Sequence, residues 1–346
     1  MEEFIAGLPK AELHMHLEGS LTTSRLIELA NKNNVKVPSL SEIEHNRSNY
    51  QTFDDFLLQY RANTEVIHTM QDLSLVLSDY LSTCAKENIL YAEIHFCPIP
   101  YYKLGFSFED VINTLDSAST EAFNTLGVRS NFILCIVKHL SQDDLMRTVQ
   151  ESQHHQDKII GIGCAGTEIG KPAKDISHLY EEARRLGFKN FTAHSGEFGD
   201  PRCMIDTLYH LKVSRIDHGV RCLEDQFLMK FLRSSDIWLT VCPLSNYHLK
   251  VLETHFDGEH IVERLLDNQI KITINSDDPT LLGGFLNDNY LTVAKSFTNK
   301  SELEVKKVLA QLAKNSFLAS FLENDLKAEY IQRLGEYLEK YGIILY

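Results

Sequence analysis

KIIGIGCAGTEIGKPAKDISHLYEEARRLGFKNFTAH, residues 158–194, contains one complete unit of the pattern that decides the fold. Lys158–Cys164 is a short apolar run of strand length. Over Asp175–Leu186, the residues Ile176, Leu179, Tyr180, Ala183 and Leu186 recur at helical spacing, and Gly187 ends the stripe. Asn190–His194 is a second apolar run. A strand, a helix and a strand in that order imply two parallel strands joined by a crossover.

The alternation extends in both directions. Further strands are predicted at Ala11–His16, Leu90–Phe96, Asn131–Val137, Ser214–His218, Ile237–Cys242 and Lys271–Ser276. With the two above they number eight, and eight such units predict an α/β fold of the (β/α)8 TIM-barrel type. An open doubly wound sheet is the alternative. One interval is too long for a simple unit: about 70 residues separate the first two strands, with helices expected at Thr52–Arg61 and Glu65–Glu87. Residues 20–88 are therefore expected to form a helical insertion over the barrel mouth. Residues 301–346 should add C-terminal helices, so that 1–346 make one barrel domain. Ser107 with Asp110, and Ser301 with Glu304, have capping-box spacing.

Composition limits the partners. The 346 residues carry 48 acidic and 34 basic side chains, a net charge of −14. This argues against nucleic acid or an anionic membrane surface as the main partner. No apolar run approaches the length of a membrane span, and Met1-Glu2-Glu3 opens no signal peptide. The seven cysteines are scattered, with no C-x-x-C pair, as expected of a reduced cytoplasmic protein.

In a barrel the chemistry lies at the C-terminal ends of the strands. Here those ends carry His14 and His16, then His194 followed by Glu197, then His218, then Asp277-Asp278. His14 and His16 are two apart on a strand and share a face. One histidine at a strand end is usually structural, but four histidines and an Asp pair at the same rim predict a metal site. Three neutral imidazoles and a carboxylate, with water completing the sphere, suit zinc, although spacing alone does not separate zinc from iron or manganese. A metal acidifies water, and Glu197 and His218 are titratable groups at the same rim able to move protons. The fourth strand ends without a lysine to bridge two ions, which favours one metal per chain.

These stretches resemble the adenosine/adenine deaminase family of metal-dependent hydrolase barrels. The matching segments are LPKAELHMHLEGSL (8–21), TAHSGE (192–197), RIDHGVR (215–221), VCPLSN (241–246) and NSDDP (275–279), in the family's order. The resemblance implies a zinc ion held by His14, His16, His194 and Asp277, with Glu197 protonating purine N1 and His218 acting on the attacking water. It also implies that Asp278 contacts N7 and that a backbone N–H at Gly166 faces N3. Members acting on adenosine carry Asp where this chain has Glu18; that residue, Asn-Ser before the Asp pair, and Glu168-Ile169-Gly170-Lys171-Pro172 resemble the branch acting on free adenine. Ala165-Gly166-Thr167 resembles the nucleoside branch instead. Adenine is therefore the expected substrate, with adenosine or an N6-substituted adenine as alternatives.

Two readings of other classes compete. Gly161-x-Gly163-x-x-Gly166 matches a dinucleotide fingerprint, but its helix should open within the motif, whereas the apolar stripe starts only at Ile176. A binding protein that had lost its chemistry should lack one of the polar positions, and all are filled.

Overall fold

Each of the eight apolar runs forms a strand in the computed structural model, which describes residues 1–251 and 261–345. The strands are β1 (Lys10–His16), β2 (Ile89–Phe96), β3 (Arg129–Val137), β4 (Ile159–Ala165), β5 (Thr192–Ser195), β6 (Arg215–His218), β7 (Trp238–Val241) and β8 (Ile272–Ile274). All adjacent pairings within β1–β4 and within β5–β8 are parallel. Every residue of β1 and β2 is buried, because helices cover the outside and side chains fill the interior.

Two seams close the barrel. Ile162 of β4 bridges to Phe191 just before β5, and Met15 of β1 bridges to Asp277 just after β8. Side chains replace much of the ladder at the second seam. The Leu13 N–H donates to Asn275 Oδ1 at 2.8 Å, the Ala11 N–H donates to Ser316 Oγ at 2.8 Å, and Ser276 Oγ donates to Glu12 Oε1 at 2.5 Å. The Asn-Ser pair preceding the two aspartates thus faces β1 and pins the strand that carries His14 and His16.

The interior below the site is plugged by ions. Arg215 of β6 is 1% exposed and lies 2.7 Å from Glu93 of β2, stacked 4.0 Å over the Phe321 ring. Glu93 Oε1 also accepts from the Phe321 N–H at 2.6 Å, which ties the C-terminal segment to the barrel floor. Removing one partner leaves a buried charge. Glu93→Ala is therefore expected to cost about 3–5 kcal/mol of stability, read as a lower denaturation midpoint in urea. A loss under 1 kcal/mol would contradict it.

Several helix boundaries differ from the sequence reading. The helix expected at Thr52–Arg61 runs from Phe53 to Glu65, capped by Thr52. The one expected at Glu65–Glu87 is Met70–Lys86, since Thr69 and Asp72 form a capping box that halts it before His68. The stripe at Asp175–Leu186 starts as a 3-10 turn over Ala173–Ile176, and the α-helix spans Ser177–Arg185. Its start lies well past Gly166, so no helix opens inside the glycine motif. Gly161 and Gly163 instead belong to β4, where a Cβ on Gly163 would meet Ile133, Thr192 and His95 at 3.0–3.1 Å. Among the described residues no helix is long and apolar enough to cross a membrane, and the seven cysteines are free.

Candidate active site

Barrel geometry brings His14 and His16 (β1), His194 (β5), His218 (β6) and Asp277 (after β8) to one rim. His14 Nε2 and His16 Nε2 lie 3.1 and 3.0 Å from His194 Nε2, and 3.3 and 3.4 Å from Asp277 Oδ1. His218 Nε2 stands slightly apart, 3.9 Å from Asp277 Oδ2 and 3.7 Å from Glu197 Oε2.

A hydrogen bond behind His14 sets its tautomer, while His194 has only a carboxylate nearby. Thr240 Oγ1 gives its one proton to Asp217 Oδ1 at 2.8 Å, so at 3.1 Å it must accept from His14 Nδ1. His194 Nδ1 lies 3.3 Å from Asp217 Oδ2. His14 Nε2 is then a bare lone pair facing His194 Nε2 at 3.1 Å, an arrangement that a cation between them would satisfy. Tetrahedral bonds of about 2.0–2.1 Å put ligand atoms roughly 3.3 Å apart, close to the spacings above. Burial opposes charge on His14, but Asp217 and Asp277 outweigh it and raise its pKa. Burial and the neighbouring His194 push His16 down to about 3, so its nitrogen is free to ligate. Burial pushes Asp277 up, yet the three surrounding imidazoles hold it well below the usual carboxylate range. Ser245 Oγ donates to Asp277 Oδ2 at 2.7 Å and fixes its rotamer.

Two other carboxyls behave oppositely. Burial, then the charges of Asp277 and Glu168, raise Glu197 well above its ordinary range. Burial and Asp277 do the same to Asp278. Burial and the neighbouring negative charge thus favour the protonated form of both. Glu197 Oε1 and Asp278 Oδ1 are buried without a hydrogen-bond partner among the described residues. Gly19 makes room for Asp278, since a Cβ there would fall 1.8 Å from Asp278 Oδ1. His218 and Asp277 both hold left-handed backbone, with φ of 67° and 64°, a strain that concentrates at functional sites.

The rim opens into a cavity of about 870 Å³. Its far wall comes from the helix Phe53–Glu65, which contributes Phe53, Phe56, Leu57 and Tyr60. Glu18 lies in this wall, its two oxygens accepting from Tyr60 at 2.9 Å and Tyr101 at 2.7 Å. Gly166 also lines the cavity, at φ 97°. Eight of the nine residues singled out in the sequence thus border one space, and the ninth, His14, is fully buried behind it with its Nε2 3.1 Å from His194 Nε2.

Spacing does not single out Tyr60, Tyr101, Ser245 or Glu168, which reach the site only through folding. His95 is different, because a histidine next to the end of the second strand was a visible signal. It pairs in register with His16, and both its ring nitrogens lack hydrogen-bond partners among the described residues.

Comparison with known proteins bears on this geometry. The adenosine deaminase family profile matches residues 9–337. The chain is similar to an adenine deaminase of Vibrio parahaemolyticus, 37% identical over 343 residues that cover 99% of each chain. Among solved structures it is similar to an adenine deaminase from Arthrobacter aurescens, with a TM-score of 0.88, 30% identity, and coverage of 96% of this chain and 99% of that one. A zinc-bound amidohydrolase from Burkholderia ambifaria shares the fold at a TM-score of 0.84 and 22% identity, covering 99% of this chain and 94% of that one.

Proposed function

The chain belongs to the adenosine deaminase family, and from that premise we propose that it hydrolyses adenine to hypoxanthine and ammonia. The observation that carries this reading is the pair of buried carboxyls, Glu197 and Asp278, whose unpartnered oxygens border the cavity beside the histidine cluster and whose pKa values are both raised. Adenine offers lone pairs at N1 and N7, flanking the C6 that reacts, and two acids answer both. Glu197 gives its proton to N1 as water adds to C6, so the ring does not accumulate negative charge. Asp278 donates to N7 and fixes the base in plane, and the Gly166 backbone N–H faces N3.

His14, His16, His194 and Asp277 would hold one divalent cation, zinc by the chemistry of the donor set. Such an ion, when bound, lowers the pKa of water from 15.7 to about 7. His218 is kept neutral by burial and takes a proton from the attacking water at Nε2. That proton then leaves with the amino group as ammonia, the remaining C6 hydroxyl proton passes to Glu197 to restore the acid, and the ring regains its conjugation as the 6-oxo product.

Glu18 decides between base and nucleoside. Its carboxylate is fixed by two tyrosine hydroxyls and retains acceptor capacity for the N9–H of a free base, which a nucleoside lacks. The cavity extends beyond the size of a base and keeps adenosine as the alternative. The test is ammonia release from adenine, adenosine, AMP and N6-methyladenine by the purified protein. Adenine is expected to have the highest kcat/KM, and a higher value for adenosine would overturn the substrate assignment. Glu18→Asp withdraws the carboxylate by one methylene, and the adenosine-to-adenine ratio of kcat/KM is expected to rise at least tenfold, about 1.4 kcal/mol. An unchanged ratio would remove Glu18 from the argument.

A further inference from the structure

Glu197 sits on a three-residue turn after β5, and that turn is held from outside its own strand. The Gly196 N–H donates to Glu168 Oε2 at 2.7 Å, while the Glu197 and Phe198 N–H groups donate to Glu168 Oε1 at 2.9 and 3.0 Å. Three successive backbone donors thus converge on one buried carboxylate. The approach is close enough that a Cβ on Gly199 would lie 2.6 Å from Glu168 Oε2. On its carbonyl side the turn is gripped by Arg221, whose Nη1 donates to Phe198 O at 2.7 Å and whose N–H donates to Gly196 O at 3.0 Å.

Glu168 comes from the loop after β4, two residues beyond Gly166. The same short loop therefore carries the backbone group that faces N3 and the carboxylate that anchors the N1 acid. We propose that Glu168 is a positioning residue of this deaminase: it fixes the Glu197 turn to the Gly166 loop and so sets the distance between the groups that engage N1 and N3. This rests on the assignment of Glu197 as the N1 proton donor. Only a carboxylate suits the place. Two oxygens accept all three N–H donors, whereas the amide of Gln would point its own hydrogens at one of them. The nearby Glu168 carboxylate also contributes to raising the Glu197 pKa, after burial and Asp277.

The test is a double-mutant cycle between Glu168→Gln and Glu197→Gln in the metal-loaded protein. Glu168→Gln alone is expected to lower kcat for adenine about 10- to 100-fold, as displacing a reacting group by an ångström does. KM should change much less, and metal content and the far-UV spectrum should match the parent. In the Glu197→Gln background, the same change should cost less than about threefold, since the group it positions no longer acts. A full-sized loss in that background would mean that Glu168 holds the barrel generally, and no loss in the parent would mean that it holds nothing that matters; either overturns the proposal. Should Glu168→Gln fail to fold, Glu168→Asp keeps the anion and carries the same comparison. Near-normal turnover of Glu197→Gln alone would instead defeat the assignment of the acid, a separate result.

Discussion

Glu197→Gln is expected to lower kcat for adenine by about 10³-fold, within the 10²–10⁴ range of a lost general acid, while the protein keeps its metal. Adding water to C6 puts electron density on N1, and a proton must arrive there as the bond forms. The Gln side chain has the same shape and can still donate a hydrogen bond to N1, so adenine should bind nearly as well. It has no acidic proton to transfer, so the loss should fall on kcat. Burial and the charges of Asp277 and Glu168 raise the Glu197 pKa, and the parent enzyme should therefore stay active to higher pH than a donor with an ordinary glutamate pKa would allow. The check is steady-state kinetics with metal analysis on the same preparation. Turnover within threefold of the parent would remove Glu197 from the reaction.

Asp277→Asn is expected to have a larger effect. It should leave the protein largely metal-free and lower turnover by more than about 10⁴-fold, several kcal/mol of transition-state stabilisation. Asp277 supplies the one carboxylate of the proposed ligand set, its Oδ1 3.3 and 3.4 Å from the Nε2 atoms of His14 and His16. It also accepts from Ser245 at 2.7 Å, so both its oxygens are in use. Asn is the suitable replacement because it tolerates the left-handed backbone at this position, φ 64°, so fold and ligation can be separated. Metal analysis after purification is the first readout and turnover the second. A full equivalent of tightly held metal in Asp277→Asn would overturn the ligand set.

Much of this was written along the chain. His14 and His16 declare a shared strand face by their spacing, and His194, His218 and Asp277-Asp278 each end an apolar run. Glu197 is visible because it follows His194 in a short polar motif. Residues that act from a distance are not visible in this way. Glu168 lies 28–30 positions from the N–H groups it holds, and Tyr101 lies 83 positions from Glu18. No period or motif links such pairs. The register between β1 and β2 puts His95 beside His16, and register is a property of two strands together. The helix start at Met70 was missed because the apolar spacing runs on through Val66 and Ile67, whereas the Thr69–Asp72 capping box decides where the helix begins.

The sequence by itself determined the order of strands and helices and which residue types stand at each strand end, since hydrophobic periodicity and turn residues are local. Only the tertiary structure decided how those ends act together. Closing the barrel sets imidazole nitrogens 3.0 Å apart, drives Asp277 down, and drives Glu197 and Asp278 up. The three carboxyls are alike in chemistry. They differ because burial penalises charge on each of them, and only Asp277 lies among enough imidazoles to outweigh that penalty.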